Sequence, residues 1–522
     1  MSKRDKLLGL GAGLALFALT ATSVNVIVFP YARACYRNPA WAALLTLAAA
    51  FAGLVFAGRR VERMNQAQLE RMARVTRPLL VAVLLAVHLV MGYLMEYTPM
   101  GDNHMLYEGS YTLARLGNFG GEDYDLYLSR FSNQWGFMLI LTGINKLLLA
   151  LGVDNRFYTL VILQAALYVP AVYLLLAMAR EKRGVRCEIM LTLLLALCLP
   201  LYLAAAVLYT DTFSLPFVVF TLYFAQRVPR QDTLSGALMQ AALCGLTALI
   251  GCQIKMTVAI VLIAAVIVWM LTMKPVRALA AAALSCALLV GGTMGVHRAM
   301  TTYVLDPAMV AQHNTPAIHW VMMSIPSSDN PYGGFSSDYG TTWGMQEAGA
   351  TQDEVMDSIL SRMKDKIYTL RYPDRLFRAV MRKNAAAFGD GTFGMTEMLD
   401  DGPVRENAVS AVVLEGRPLY RVYFAVTTGL WHAALLFAAL SVYADIKTRR
   451  REGAIVTIAV FGLMLFMMLW EARGRYIFNF VPLVLLLAAD GAHRVTSCAA
   501  IIKEGCLWQS ASKGLSRLHR RG

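Results

Sequence analysis

Twelve stretches of mostly apolar residues recur along the chain, at 7–29, 40–57, 78–97, 157–179, 188–208, 212–227, 234–252, 256–273, 278–296, 420–444, 454–470 and 476–490. A helix that crosses a bilayer needs about 20 such residues, because hydrocarbon offers no water to satisfy backbone N–H and C=O groups. Composition agrees: 57% of the 522 residues are apolar, only 16% are charged, and mean hydropathy is +0.51. Too few polar side chains remain to clothe a soluble surface. The expected fold class is an all-α polytopic membrane protein with about 12 spanning helices.

The chain holds 48 Lys and Arg against 34 Asp and Glu, a net charge of +14. Such an excess fits either nucleic acid or cations retained on the cytoplasmic side of a membrane, and its distribution decides between them. Segments 1–6, 58–77, 180–187, 227–233, 274–277, 445–453 and 491–522 hold 27 of the 48 cations. The long hydrophilic segment 297–417 is net acidic, with 15 acids against 11 bases. Nucleic acid is thereby excluded as a partner, membrane lipid is the surrounding medium, and both termini are expected in the cytoplasm. The run at 7–29 is too long for a signal-peptide core and reads as an uncleaved anchor.

This orientation puts residue 98 outside and residue 180 inside, so an odd number of crossings must lie between them. Two apolar stretches are available, 135–151 and 157–179. The first is short, follows Asn133-Gln134 and carries Asn145-Lys146. It is expected to lie in the membrane plane or to re-enter the outer leaflet. The expected organisation is a helical hairpin with a basic cytoplasmic loop (1–77) and a transmembrane core (78–296) with a first outer loop at 98–134. A large extracytoplasmic loop region of mixed structure (297–417), C-terminal spans (418–490) and a basic cytoplasmic tail (491–522) follow. Within the large loop, 351–388 has helical periodicity, and 326–344 is rich in turn formers.

Cysteine is informative by its placement. The eight are Cys35, Cys187, Cys198, Cys244, Cys252, Cys286, Cys498 and Cys506, with no CxxC pair and none in 297–417. No disulfide framework and no cysteine metal site are expected.

Under this topology several polar residues fall at the outer boundary. Asp102 follows a span in TPMGDNHMLYEGS, Asp211 sits in LYTDTFS, Lys255 in GCQIKMT, and Glu471, Arg473 and Arg475 in EARGRYIFNFVP. Ionisable groups near hydrocarbon are costly and mark function. A carboxylate among cations suits activation of a hydroxyl opposite a phosphate leaving group. The same residues have plainer uses: an acid at a helix boundary caps it, a lysine snorkels, an arginine anchors at the interface, and Glu471 pairs with a neighbouring arginine. Asp390, between glycines in GDGTF, reads as a turn residue or a loop contact. Tyr107, Tyr111, Tyr124, Tyr127 and Trp135 fit an interfacial aromatic belt or a groove for sugar or lipid. His88, His297, His313 and His319 are scattered and read as structural.

The ordered series Asp102, RFSNQWGFMLIL (130–141), YTDTFSLPF (209–217), IKMTVAIVLIA (254–264), FGDGTFG (388–394) and EARGRYIFNFVPLV (471–484) resembles the GT-C superfamily of integral-membrane glycosyltransferases. Aminoarabinose and protein O-mannosyl transferases are relatives, and the match is to Gram-positive types. The resemblance implies a multi-pass protein of a bacterial cell membrane with its active site on the extracytoplasmic face. It implies a polyprenyl-phosphate-linked sugar as donor and an extracytoplasmic glycan, lipid or protein as acceptor. By position, Asp102 would be the catalytic base, Asp211 a second cavity acid, and Lys255, Arg473 and Arg475 the phosphate contacts with Glu471 beside them. Two departures stand out: Asp102 is followed by Asn103 where some relatives pair two acids, and Met256 follows Lys255. His104 would supply one metal ligand without a second at recognisable spacing, so neither a metal nor another cofactor is predicted. A flippase, transporter, polymerase or ligase of lipid-linked sugars is the alternative, although no pair of interrupted segments marks a transporter repeat.

Overall fold

The computed structural model describes residues 3–29, 40–121, 123–395, 397–399 and 402–496. Cys35, Cys498, Cys506 and the tail cations from Lys503 onward lie outside the described residues. Among the described residues, eight helices are long and apolar enough to cross a membrane: Arg4–Val28, Trp41–Glu62, Gln66–Leu94, Arg156–Arg183, Leu234–Ile254, Pro275–Tyr303, Tyr420–Thr448 and Gly474–Thr496. Each falls on one of the expected stretches.

The other four expected spans take different forms. Helices Val185–Leu197 and Leu199–Ala206 are bent by 61° where 188–208 reads as one straight span. Pro200 accounts for the break at Cys198: it sits in the first turn of the second helix, donates no backbone hydrogen bond, and in a continuous helix its ring would clash with the carbonyl four residues earlier. Leu215–Arg227 has 13 residues and Ala454–Leu469 has 16, and Met256–Thr272 is likewise a shorter apolar helix. A count of twelve requires the bent pair and these three to cross as well. The stretch at 135–151 forms helix Trp135–Ala150, whose 16 residues fall short of a full span of about 20. Its Asn145 is buried and donates to Ser110 Oγ at 2.9 Å, which fastens it to helix Gly101–Leu116.

The last helix is the hub. Of its most apolar window 89% is buried, against 72% for Tyr420–Thr448 and 17% for both Trp41–Glu62 and Pro275–Tyr303. Lipid is as apolar as leucine, so close helix packing depends on small residues at the contact. At Gly491 an added Cβ would stand 1.8 Å from the Phe437 carbonyl oxygen. Gly491→Ala is therefore expected to push these two central helices apart, at a cost of about 1–3 kcal/mol. Thermal unfolding of the detergent-purified protein reads this as a lowered midpoint. Gly291→Ala is the control, because nothing lies within 4 Å of its added Cβ. Equal midpoints for the two variants would refute the close contact.

Beyond Tyr303 the chain continues as helices Pro307–His313, Ala317–Met323, Asp338–Glu347, Gln352–Thr369 and Pro373–Phe388. The periodicity at 351–388 thus resolves into two helices. Thr351 and Glu354 form a capping box at the start of the first, and Pro373 takes the first turn of the second. Met322, Val355 and Ile359 make a small apolar nucleus separate from the membrane core.

Candidate functional site

A cavity of about 980 Å³ opens where ends of the membrane helices meet the segments that join them. Asp102, Lys255, Glu471, Arg473 and Arg475 all line it. Residues far apart in sequence are thereby gathered around one space.

Asp102 stands in the first turn of Gly101–Leu116. Pro99 bars helix from running through, and Gly101 adopts a left-handed φ of +53° that turns the chain into the new helix. A helix N-terminus favours a carboxylate at this point. Tyr209 Oη donates to Asp102 Oδ2 at 3.1 Å and accepts from Gln134 Nε2 at 3.1 Å. Burial, reinforced by the Asp102 charge, holds the Tyr209 phenol well above its ordinary value, so it remains a donor. Tyr127 is raised in the same way and by the same carboxylate.

The cations differ in how they are neutralised. Lys255 caps the end of Leu234–Ile254 in extended backbone, ion-pairs with Asp211, and lies 4.5 Å over the Tyr476 ring. Asp211 is buried behind Lys255 and does not line the cavity. Arg473 Nε pairs with Glu471 Oε1 at 3.1 Å, and Tyr476 Oη donates to Glu471 Oε2 at 3.0 Å. Arg475 is only 7% exposed, and among the described residues no carboxylate ion-pairs with it. Its Nη1 meets the Met398 sulfur at 3.0 Å, and its guanidinium lies 5.2 Å over both Tyr209 and Tyr476. Tyr209 therefore stands between an acid and a cation that, among the described residues, make no ion pair.

Asp390 is placed elsewhere. Its carboxylate accepts from Thr392 N at 2.8 Å, Thr392 Oγ1 at 2.6 Å and Gly394 N at 3.2 Å, holding its own turn outside the cavity. His104 lines the cavity, but among the described residues no group of three or more His, Cys, Asp or Glu could hold a metal ion. His88 and His319 bond to Gln164 and Thr342, as structural residues do. Of the aromatic residues singled out in 107–135, Tyr127 reaches the cavity, whereas Tyr107 and Tyr111 hold Arg156 and Trp135 is buried.

Other cavity residues escaped the sequence reading. Gln134 and Tyr209 lie inside quoted motifs, but nothing in the sequence joins them to Asp102. Lys383 does not line the cavity and carries no such signal. It is buried with Nζ 2.8 Å from Ser324 O, and burial holds its amine down to about 7. Ser324 Oγ in turn donates to Leu469 O at 3.0 Å, and Ala472 N to Gly333 O at 2.9 Å. These bonds bolt the loop carrying Ser324 and Gly333 to the segment that carries Glu471.

The crystal structure of ArnT from Cupriavidus metallidurans bound to undecaprenyl phosphate is similar at 14% identity, covering 81% of this chain and 79% of that one, with a TM-score of 0.35. Its apo state gives 15% identity, 80% and 77% coverage and the same TM-score. A likeness this low carries no function across. No curated protein matches the sequence. A family model described as "Conserved hypothetical integral membrane protein" matches residues 14–495, nearly the whole chain. The protein belongs to that family of integral membrane proteins.

Proposed function

We propose that the protein is a membrane glycosyltransferase that moves one sugar from a polyprenyl-phosphate donor to an extracytoplasmic acceptor, a cell-wall polymer or a lipid-linked glycan. The observation that carries this reading is Arg475, a buried guanidinium facing a cavity without a carboxylate partner among the described residues. A buried charge left unpaired is costly, so the site is built for an anionic guest. Phosphate matches a guanidinium well. Met256, Phe466 and Trp470 also line the cavity, and Met256 is largely exposed on the membrane helices, which suits a prenyl chain.

In this reading the acceptor hydroxyl oxygen attacks the anomeric carbon and gives its proton to Asp102. The bond from that carbon to the phosphate oxygen breaks, and the electron pair leaves on polyprenyl phosphate. Arg475, Lys255 and Arg473 take up the developing charge. Asp211 and Glu471 position Lys255 and Arg473. The site faces the extracytoplasmic side, with both termini in the cytoplasm and 297–417 covering the acceptor.

Purified full-length Arg475→Gln is expected to bind a synthetic polyprenyl phosphate at least about thirty-fold more weakly, as loss of a buried charge partner costs ~2 kcal/mol or more. Arg473→Gln should lose less, because Arg473 is more exposed and already paired. Undiminished affinity in Arg475→Gln would sink the phosphate assignment. Transfer by detergent-solubilised protein separates the enzyme from a flippase, which works only across a sealed membrane.

A further inference from the structure

The cavity has a second, chemically different wall, which meets the phosphate-binding groups only at Phe335, where the Arg473 guanidinium lies 5.9 Å over the ring. Phe131, Trp320, Phe335 and Trp343 line it, all from the outer segments. Their rings form a connected panel: Phe131 lies 5.8 Å from Trp320 and 5.6 Å from Trp343, and Tyr339 joins Trp343 at 4.6 Å to Phe335 at 4.5 Å. The panel is fixed from behind. Trp343 Nε1 donates to Thr315 Oγ1 at 3.3 Å, Thr315 N to Arg130 O at 3.3 Å, and the Arg130 guanidinium lies 4.9 Å over the Trp343 ring while pairing with Glu347. None of the four panel rings is fully buried, and Phe335 is 42% exposed.

Polar groups edge the panel with spare hydrogen-bonding capacity. Gln134 is 6% exposed and lines the cavity, and among the described residues its Oε1 has no partner although its Nε2 binds Tyr209. Asn314 also lines the cavity, its Oδ1 likewise without a partner among the described residues. Unmet buried acceptors are costly and call for donors from a guest. Ring faces with amide edges fit a molecule that has flat C–H faces and a rim of hydroxyl donors. An acyl chain would cover the rings but leave the amides unsatisfied. A strongly anionic guest is not called for, since Arg130 already pairs with Glu347, and Arg473, 5.9 Å over the Phe335 ring, pairs with Glu471.

We propose that this wall is the acceptor subsite and that it binds a neutral saccharide, stacked on Trp343 and Trp320 and hydrogen-bonded by Asn314 and Gln134. The proposal rests on the transferase reading above and names the chemical class of its acceptor. The subsite adjoins the proposed base, because Gln134 is linked to Asp102 through the Tyr209 hydroxyl.

The test is saturation-transfer NMR on the full-length protein in a detergent without a sugar headgroup, with maltotriose, chitotriose and xylotriose as probes. At least one probe should receive saturation at its ring C–H protons. Trp343→Ala should weaken that binding about ten-fold, and Trp343→Phe should largely retain it. Arg475→Gln should leave the saccharide signal in place while losing polyprenyl phosphate. No signal from any probe, or equal binding by wild type and Trp343→Ala, overturns the subsite. Saccharide binding by a wild-type protein that does not bind polyprenyl phosphate leaves the subsite standing and overturns the donor reading instead.

Discussion

Asp102→Asn is expected to abolish glycan modification in cells while the protein still folds and still binds polyprenyl phosphate. A general base contributes roughly 10²–10⁴-fold to such a reaction. The substitution suits the question because asparagine keeps the shape of the side chain and an oxygen that can accept from Tyr209 Oη, now 3.1 Å away. The local network therefore survives, and only the capacity to take a proton is lost. The phosphate contacts lie on other segments, so donor affinity should change little. Tyr209→Phe is the companion. It removes the donor that orients the carboxylate but keeps the ring beneath Arg475, so it should lower kcat more than it raises KM. Cell-surface glycan composition in a deletion strain carrying each variant checks the first outcome. Wild-type glycan in the Asp102→Asn strain would remove Asp102 from the role of base.

The membrane helices were legible because their signal is local: about 20 apolar residues must fall in one run. The bend at Pro200 was not legible as an angle, because a proline marks where a helix breaks while packing sets how far it turns. The charged residues of the site stood out because Lys255, Arg473 and Arg475 break the cytoplasmic bias of the other cations. Which charges neutralise which was hidden. Asp211 and Lys255 lie on different segments, and only tertiary structure shows that one cancels the other and leaves Arg475 without a carboxylate ion pair among the described residues. The aromatic wall was hidden for a different reason. Trp320, Phe335 and Trp343 sit in short helices and turns with no periodicity, and their common direction arises from the folding of the outer segment.

Two other cations carried a misleading local signal. Arg183 and Arg494 read in the sequence as markers of the cytoplasmic side, yet both are largely buried. Arg183 pairs with Asp445 and, at 3.4 Å, with Asp490; Arg494 pairs with Asp445 at 2.6 Å and with Asp490 at 3.0 Å. Two cations and two acids thus close a ring that ties the end of Arg156–Arg183 to the two central helices. Gly453 covers it, with its Cβ position 3.0 Å from Asp445 Oδ2. Asp445→Asn is expected to destabilise the protein by about 3–5 kcal/mol, because an amide NH₂ would then face a guanidinium and leave a buried cation uncompensated. Replacing Arg183 and Asp445 together with Met and Leu should cost less than Asp445→Asn alone, since no unpaired charge is buried. Thermal unfolding in detergent measures both, and a double-mutant cycle isolates the coupling. A loss below about 1 kcal/mol for Asp445→Asn, the range of solvated surface pairs, would show that water enters the ring and that these arginines report topology alone.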